Sequence, residues 1–191
     1  MCQNLGATTG IDPFSPQAGN HGAKYQWGAN TGETGRYYSQ ANDQFNPNAI
    51  AGWNSSGKPN GSWSDASKTL NDPCPTGYRV PTSAQWQAVI ANNSVERVGS
   101  WNYGPGNYDS ALYFKHPSGV RTLMLPAAGY RFYTDGTLYS RNSNGEYWSS
   151  SEDSSSGLSY FLEFGSASSG VITAEQLYVR TNGMSVRCIA Q

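Results

Sequence analysis

The sequence predicts a single α+β domain, in which few helices and several hairpin-forming strands are joined by long loops. Three observations lead there. Only 13% of the residues are charged and 13% are aromatic, with 6 Trp and 13 Tyr, whereas soluble domains carry about a quarter charged residues. Rings in that number offset the ordering entropy that leaves polar chains disordered, so the chain folds behind a polar, weakly charged surface. The 22 Gly and 10 Pro imply many turns and long loops. Helical and strand patterns each occupy short, separate stretches, and 191 residues suffice for one sizeable core, giving one domain over residues 1–191.

From the amino end, Met1 is followed at once by Cys2-Gln3-Asn4-Leu5-Gly6, without a basic region and apolar stretch. These residues read as a strand already under way, which predicts that export signals lie upstream. Residues 1 to 62 hold little helical periodicity and many breakers, among them Asp12-Pro13, Ala18-Gly19-Asn20 and Asn46-Pro47-Asn48. Tyr25, Trp27, Tyr37, Tyr38, Trp53 and Trp63 recur among these turns and are expected to anchor a core. A short helix is expected over Asp65 to Leu70. The best helix signal follows Pro81: Thr82-Ser83-Ala84-Gln85 matches a capping box, and Trp86, Val89 and Ile90 form an apolar stripe ending near Asn92-Asn93. A loop from Gly99 to Tyr108 leads to two strand candidates, Ala111-Leu112-Tyr113-Phe114 and Val120 to Leu125, separated by Pro117-Ser118-Gly119. Between Ser149 and Ser169 ten of 21 positions are Ser. Apolar residues alternate there, with Tyr160, Leu162 and Phe164 on one face and Phe161, Glu163 and Gly165 on the other.

A net charge of -1 supplies no basic field for a phosphate backbone, so no nucleic-acid partner is expected. With mean hydropathy of -0.61 and no stretch approaching about 20 apolar residues, no direct membrane insertion is expected either. Of the three cysteines, Cys74 sits in the rigid turn Asp72-Pro73-Cys74-Pro75-Thr76-Gly77, and Cys188 in a strand-like run. A bridge between them is the economical reading; three buried thiols in a reducing compartment are the alternative, since free Cys packs well in cores. No Cys-x-x-Cys occurs, and His21 and His116 stand alone, so neither metal nor cofactor is expected. The same histidines lack a patterned nucleophile, and Glu33, Glu96, Glu146, Glu152, Glu163 and Glu175 fall in no recognisable acid motif.

The run from Asp72 to Trp86, then Leu125-Pro126-Ala127-Ala128-Gly129-Tyr130-Arg131, Tyr147-Trp148-Ser149-Ser150-Ser151 and Ser185-Val186-Arg187-Cys188, resembles the Fibrobacter succinogenes major paralogous domain (FISUMP) family, abundant in Bacteroidetes. The resemblance implies a C-type-lectin-like fold, with a few helices flanking a twisted antiparallel sheet and with adjacent termini, and it supports the Cys74 to Cys188 bridge. The same fold occurs in the formylglycine-generating enzyme, whose chemistry needs a close cysteine pair; a framework bridge leaves only Cys2. The Glu-Pro-Asn, Gln-Pro-Asp and Trp-Asn-Asp triplets of calcium-dependent lectins do not occur.

Residues 128 to 191 further resemble the variable region of proteins diversified by retroelements. In those systems template adenines are mutated and asparagine codons become Tyr, Ser, Asp, Phe or Gly. The resemblance marks Phe132, Tyr133, Tyr139, Ser140, Asn142, Ser143, Glu146, Asp153, Ser154, Ser155, Ser156, Phe161, Glu163, Gly165 and Ser166 as ligand-contacting positions, set among framework residues such as Arg131 and Trp148. Glu146 and Glu163 depart from the pattern, because an asparagine codon does not readily give Glu. Tyr and Phe offer large contact area at low rotamer entropy, and Ser and Asn adapt their hydrogen bonding, as in antibody loops. The expected function is therefore a non-catalytic adhesin or receptor-binding domain whose variable positions converge on one exposed face. Its partner is a protein or glycan on a host or bacterial surface. The domain is expected outside the cell, carried by an upstream pilin-like domain on a surface fibre, or by a phage tail on a virion.

Overall fold

The capping box forms as the sequence predicts. In the computed structural model, which describes residues 1–165 and 172–191, Thr82 Oγ1 accepts from the Gln85 backbone N–H at 3.1 Å, and Gln85 Oε1 accepts from the Thr82 N–H at 2.9 Å. They start a helix over Ser83–Asn92, which buries Trp86 and lets its indole N–H donate to the Trp148 carbonyl. Asp65 to Leu70 forms no helix; that expectation is corrected. Ser64 Oγ accepts from the Ala66 N–H, and the Asp65 carboxylate accepts from the Ser150 and Ser151 hydroxyls. Such side-chain bonds offer the segment partners that a helix would deny it. The first α-helix, α1, lies instead at Gln40–Phe45, opened by the Ser39 hydroxyl accepting from the Asn42 N–H; Ser83–Asn92 is α2.

Among the described residues all named strands pair antiparallel, so the chain is mostly antiparallel strand with few helices. One three-stranded sheet has β4 (Ser94–Val98), β5 (Ala111–Lys115) and β6 (Arg121–Pro126) in sequence order, with β5 and β6 joined where the hairpin was expected. A second places β10 (Leu158–Gly165) between β9 (Asn144–Asp153) and β11 (Ile172–Val179). Three two-residue pairs complete the set: β1 (Lys24–Tyr25) with β2 (Tyr37–Tyr38), β3 (Tyr78–Arg79) with β12 (Ile189–Ala190), and β7 (Tyr130–Arg131) with β8 (Leu138–Tyr139).

Apolar side chains cover the β9–β10 ladder on both faces. Trp148 and Phe161, paired in register, face a core of Tyr25, Trp27, Trp63, Met184 and Val186. Tyr147, Leu162 and Phe164 point the other way, against Trp86, Leu112, Phe114 and Leu125. Of the six early aromatics, Tyr25, Trp27, Trp53 and Trp63 are buried and Tyr37 and Tyr38 are half-buried, as core anchors should be.

Cys74 and Cys188 form a disulfide with Cα atoms 5.8 Å apart. Bridges of this kind persist in non-reducing compartments, and among the described residues no helix is long and apolar enough to cross a membrane. The two ends of the chain meet: the Leu5 N–H donates to the Val186 carbonyl, and the Met1 ammonium to that of Cys188.

A buried charge cluster ties the early loops to the last third. Asp43, on α1 and 0% exposed, accepts from Arg131 Nε at 2.7 Å and Arg141 Nη2 at 2.5 Å, with Lys24 Nζ at 3.9 Å. Burial raises the Asp43 carboxyl, but Lys24, Arg141 and Arg131 outweigh it and hold the group below the usual carboxylate range. Burial brings Lys24 down to about 8 despite Asp43. Arg131 also donates to the carbonyls of Asp43, Asn46 and Gly136, so one guanidinium closes α1 and the β7–β8 turn together.

Candidate functional site

The candidate site grows from the β7–β8 hairpin. At Gly129, with φ of +60°, a Cβ would stand 2.2 Å from the Tyr139 carbonyl oxygen, so only glycine lets the chain enter there. The turn closes through Phe132 N–H to the Thr137 carbonyl and Thr137 N–H to Asp135 Oδ1. The register sets Tyr130 opposite Tyr139, with their rings stacked at 5.9 Å. Phe132 lies between Tyr133 and Tyr139, at 4.4 and 5.3 Å. On the other side Tyr130 meets Tyr178 edge-on at 6.5 Å, and Tyr178 meets Phe161 at 6.0 Å. A continuous chain of rings therefore runs from Tyr133 and Tyr139, 38% and 44% exposed, down to the buried Phe161.

Beside this chain opens a cavity of about 200 Å³, lined by Tyr130, Ser140, Asn144, Glu146, Phe161, Glu163, Gln176, Leu177, Tyr178 and Met184. Glu146 and Glu163 are register partners on adjacent strands. Glu146 is 4% exposed, and its Oε2 has no hydrogen-bond partner. Burial first, then the charge of Glu163, raise the Glu146 carboxyl well above its ordinary range. Burial also lifts Glu163, and it brings Tyr130 up to about 12 with help from Glu146.

The predicted ligand-contacting residues divide. Tyr133 and Tyr139 are exposed and Phe132 half-buried on the hairpin; Ser140, Glu146, Phe161 and Glu163 line the cavity. Ser143 is half-buried, bonding back to the Ser140 carbonyl. Three positions expected on an exposed face are corrected to buried, Asn142, Phe161 and Gly165, and Glu146, expected as a ligand contact, is buried as well. Asn142 is structural. Its amide donates to Ser100 Oγ, the Asn102 carbonyl and Asp109 Oδ1, and its Oδ1 accepts from the Ser110 N–H. Phe161 turns inward because the sheet is covered on both faces, leaving alternation no solvent side there.

The expectation of one converging face is corrected as well. Asp153, Ser154, Ser155 and Ser156 form the turn at the far end of β9, seven residues from Glu146, or roughly 23 Å along an extended strand. Asp153 accepts from the Ser155 and Ser156 hydroxyls, and those bonds, Ser156 first, bring its carboxyl down to about 2. Ser154 to Ser156 are exposed, but they make a separate patch. Ser166 lies outside the described residues.

Sequence reasoning missed Tyr130, Asn144, Gln176, Leu177, Tyr178 and Met184 as site residues. The motif match marked Tyr130 as framework, and Tyr178 carried an available signal as an aromatic on the strand pairing with β10. A family model described as "Domain of unknown function (DUF8237)" matches residues 109–189, a stretch holding every residue of the cavity. No curated protein and no solved structure matches the chain.

Proposed function

We propose that the chain is a non-catalytic ligand-binding domain with a C-type-lectin-like fold, displayed outside the cell as an adhesin or receptor-binding tip on a surface fibre. The observation that carries this reading is the chain of rings from Tyr133 and Tyr139 to Phe161, flanking an open cavity with polar walls. Exposed Tyr on a hairpin braced by the buried Arg131 is a rigid contact surface of low rotamer entropy, suited to a protein or glycan partner. The lectin-like assignment draws support from the adjacent chain ends, the antiparallel strands with few helices, and the Cys74–Cys188 bridge between a turn and the last strand region. The resemblance of residues 128 to 191 to retroelement-diversified regions supports a surface that tolerates change at its rim. The phage-tail carrier is the same binding reading on a different fibre.

The test is binding of the labelled domain to arrays of glycans and of surface proteins. The expected result is at least one specific ligand whose binding falls about tenfold or more when Tyr133 and Tyr139 are both changed to Ser, since hot-spot aromatics each carry about 2 kcal/mol or more. Turnover of a glycoside by the Glu146 and Glu163 pair, or of a cysteine peptide, would overturn the non-enzyme reading.

A further inference from the structure

The cavity beneath the aromatic hairpin has a chemistry of its own. Its floor and wall carry two carboxyls, Glu146 and Glu163, paired across β9 and β10. Among the described residues, no Lys, Arg or His stands within ion-pairing distance of either one. Lys24 acts on Glu146 only through its charge across the interior, while its Nζ donates to Ser185 Oγ at 3.2 Å and lies 3.9 Å from Asp43. Glu146 Oε2 is buried with no hydrogen-bond partner, and a carboxyl so placed either keeps its proton or gains from a donor that enters the cavity. Three rings, Tyr130, Tyr178 and Phe161, also line the cavity, and an aromatic face presents negative potential to a cation.

We propose that this cavity is a binding site for an alkylammonium group, the protonated amine of a lysine side chain or of an amino sugar. The proposal rests on the ligand-binding reading above and narrows it to a ligand class. An ammonium gains from the carboxyls and from the rings at once, whereas an anion is repelled and a neutral donor brings a hydrogen bond without the opposite charge. The space, about 200 Å³ and open on one side, takes one flexible amine chain and not a folded peptide segment.

Binding should be linked to protons. The groups facing Glu146 are Glu163 from β10, Lys24 from β1, Asn144 beside it, and the tyrosine hydroxyls of Tyr130 and Tyr178, both held above their ordinary range by burial first. Of these Glu146 and Glu163 are the carboxyls, and burial holds both above the ordinary carboxylate range, so the window in which they gain charge as pH rises lies above that of a free carboxyl. An incoming ammonium favours the carboxylate form and displaces its proton. Affinity for the amine therefore rises with pH through that window.

The experiment is titration of the intact, disulfide-bonded protein by NMR or calorimetry at several pH values. The probes are Nα-acetyl-lysine methylamide, its neutral isostere Nα-acetyl-norleucine methylamide, glucosamine and glucose. We expect one of the two amines to bind about tenfold or more tightly than its neutral counterpart, and the preferred amine to identify the source as peptide or sugar. Glu163→Gln should lose about tenfold in that affinity, and Glu146→Gln should flatten its rise with pH. Glu146→Gln removes the titratable group and nearly keeps the shape, and Glu163→Gln together with the wild-type pH profile still decides the matter if that variant fails to fold. Equal binding of amine and isostere, no binding of either amine, or amine affinity untouched by both substitutions would overturn the proposal. If a ligand found on the arrays still binds through Tyr133 and Tyr139 while no amine occupies the cavity, this inference falls and the binding-domain reading survives.

Discussion

Replacing Asp43 with Asn removes the one anion that holds Lys24, Arg131 and Arg141 together in the interior. The shape is kept and the charge is lost, leaving three buried cations facing a neutral amide. Of two hydrogen bonds between ionised groups, at 2.7 and 2.5 Å, the Asn oxygen can keep one with the acceptor's charge gone, while its NH2 faces the other guanidinium donor, and each such bond contributes about 1.5 to 3 kcal/mol. Removing one partner of a buried ion pair costs about 3 to 5 kcal/mol by a separate route, so the two estimates agree. Urea unfolding of the oxidised protein, followed by tryptophan fluorescence, should show a midpoint lower by about 2 M for a slope near 2 kcal/mol per M. The deficit should depend on pH. Lys24 has a folded pKa of about 8, below its unfolded value, so it contributes instability that is full below pH 8 and relieved as pH rises from there toward its unfolded pKa. Without Asp43 that folded pKa falls further, Lys24 neutralises sooner, and the deficit of the variant narrows between pH 7 and 9. On the acid side, the lowered Asp43 carboxyl contributes stability that is lost as pH falls through its folded pKa, so the variant should also unfold less steeply in acid. A loss under about 1 kcal/mol, unchanged from pH 6 to 9, would refute the view that this cluster is a coupled electrostatic hub.

Trp148→Ala empties a fully buried site between Tyr25 and Phe161 and should cost about 3 to 5 kcal/mol, whereas Tyr133→Ser with Tyr139→Ser should stay within about 1 kcal/mol; comparable losses in thermal melts would mean the rim rings are core. Changing Cys74 and Cys188 together to Ala releases a loop closed across a separation of 114 residues, which the chain-entropy relation values at about 4.8 kcal/mol. A chemical-denaturation loss below about 1 kcal/mol would indicate that the reduced, unfolded chain already confines that loop.

What could be read from the sequence was what neighbours in the chain decide. Helix α2 announces itself because its cap, its reciprocal Gln85 and its apolar stripe lie within nine residues. The β5–β6 hairpin does so through its turn and alternation. The charge cluster was invisible: Asp43 meets Arg131 and Arg141 across 88 and 98 residues, and nothing local marks Asp43 as different from the other acids. The motif match flagged Arg131 as framework without saying why; its guanidinium turns out to bind α1 and the hairpin at once. Phe161 illustrates the opposite error. Alternation correctly put it on the face opposite Leu162 and Phe164, but a period of two says nothing about whether that face meets water or Trp148. The acidic pair of the cavity was named residue by residue, yet its pairing depends on the register of β9 against β10, which no spacing along the chain encodes.

The disulfide also decides how the domain responds to being pulled. Tension applied between residue 1 and residue 191 passes from Cys74 directly to Cys188, so the segment between them carries no load while the bridge holds. Stretching could then extend only residues 1–74 and 188–191, roughly 270 Å of contour against about 670 Å for the whole chain. The hairpin rings, the acidic pair and the whole of the α2-covered sheet lie inside the unloaded segment. In a force spectrometer, the oxidised domain should yield the short contour and reduction should restore the long one. A domain wired in this way is a mechanical short circuit: drag on the chain peels the amino-terminal loops before it can pull the backbone of the binding surface apart.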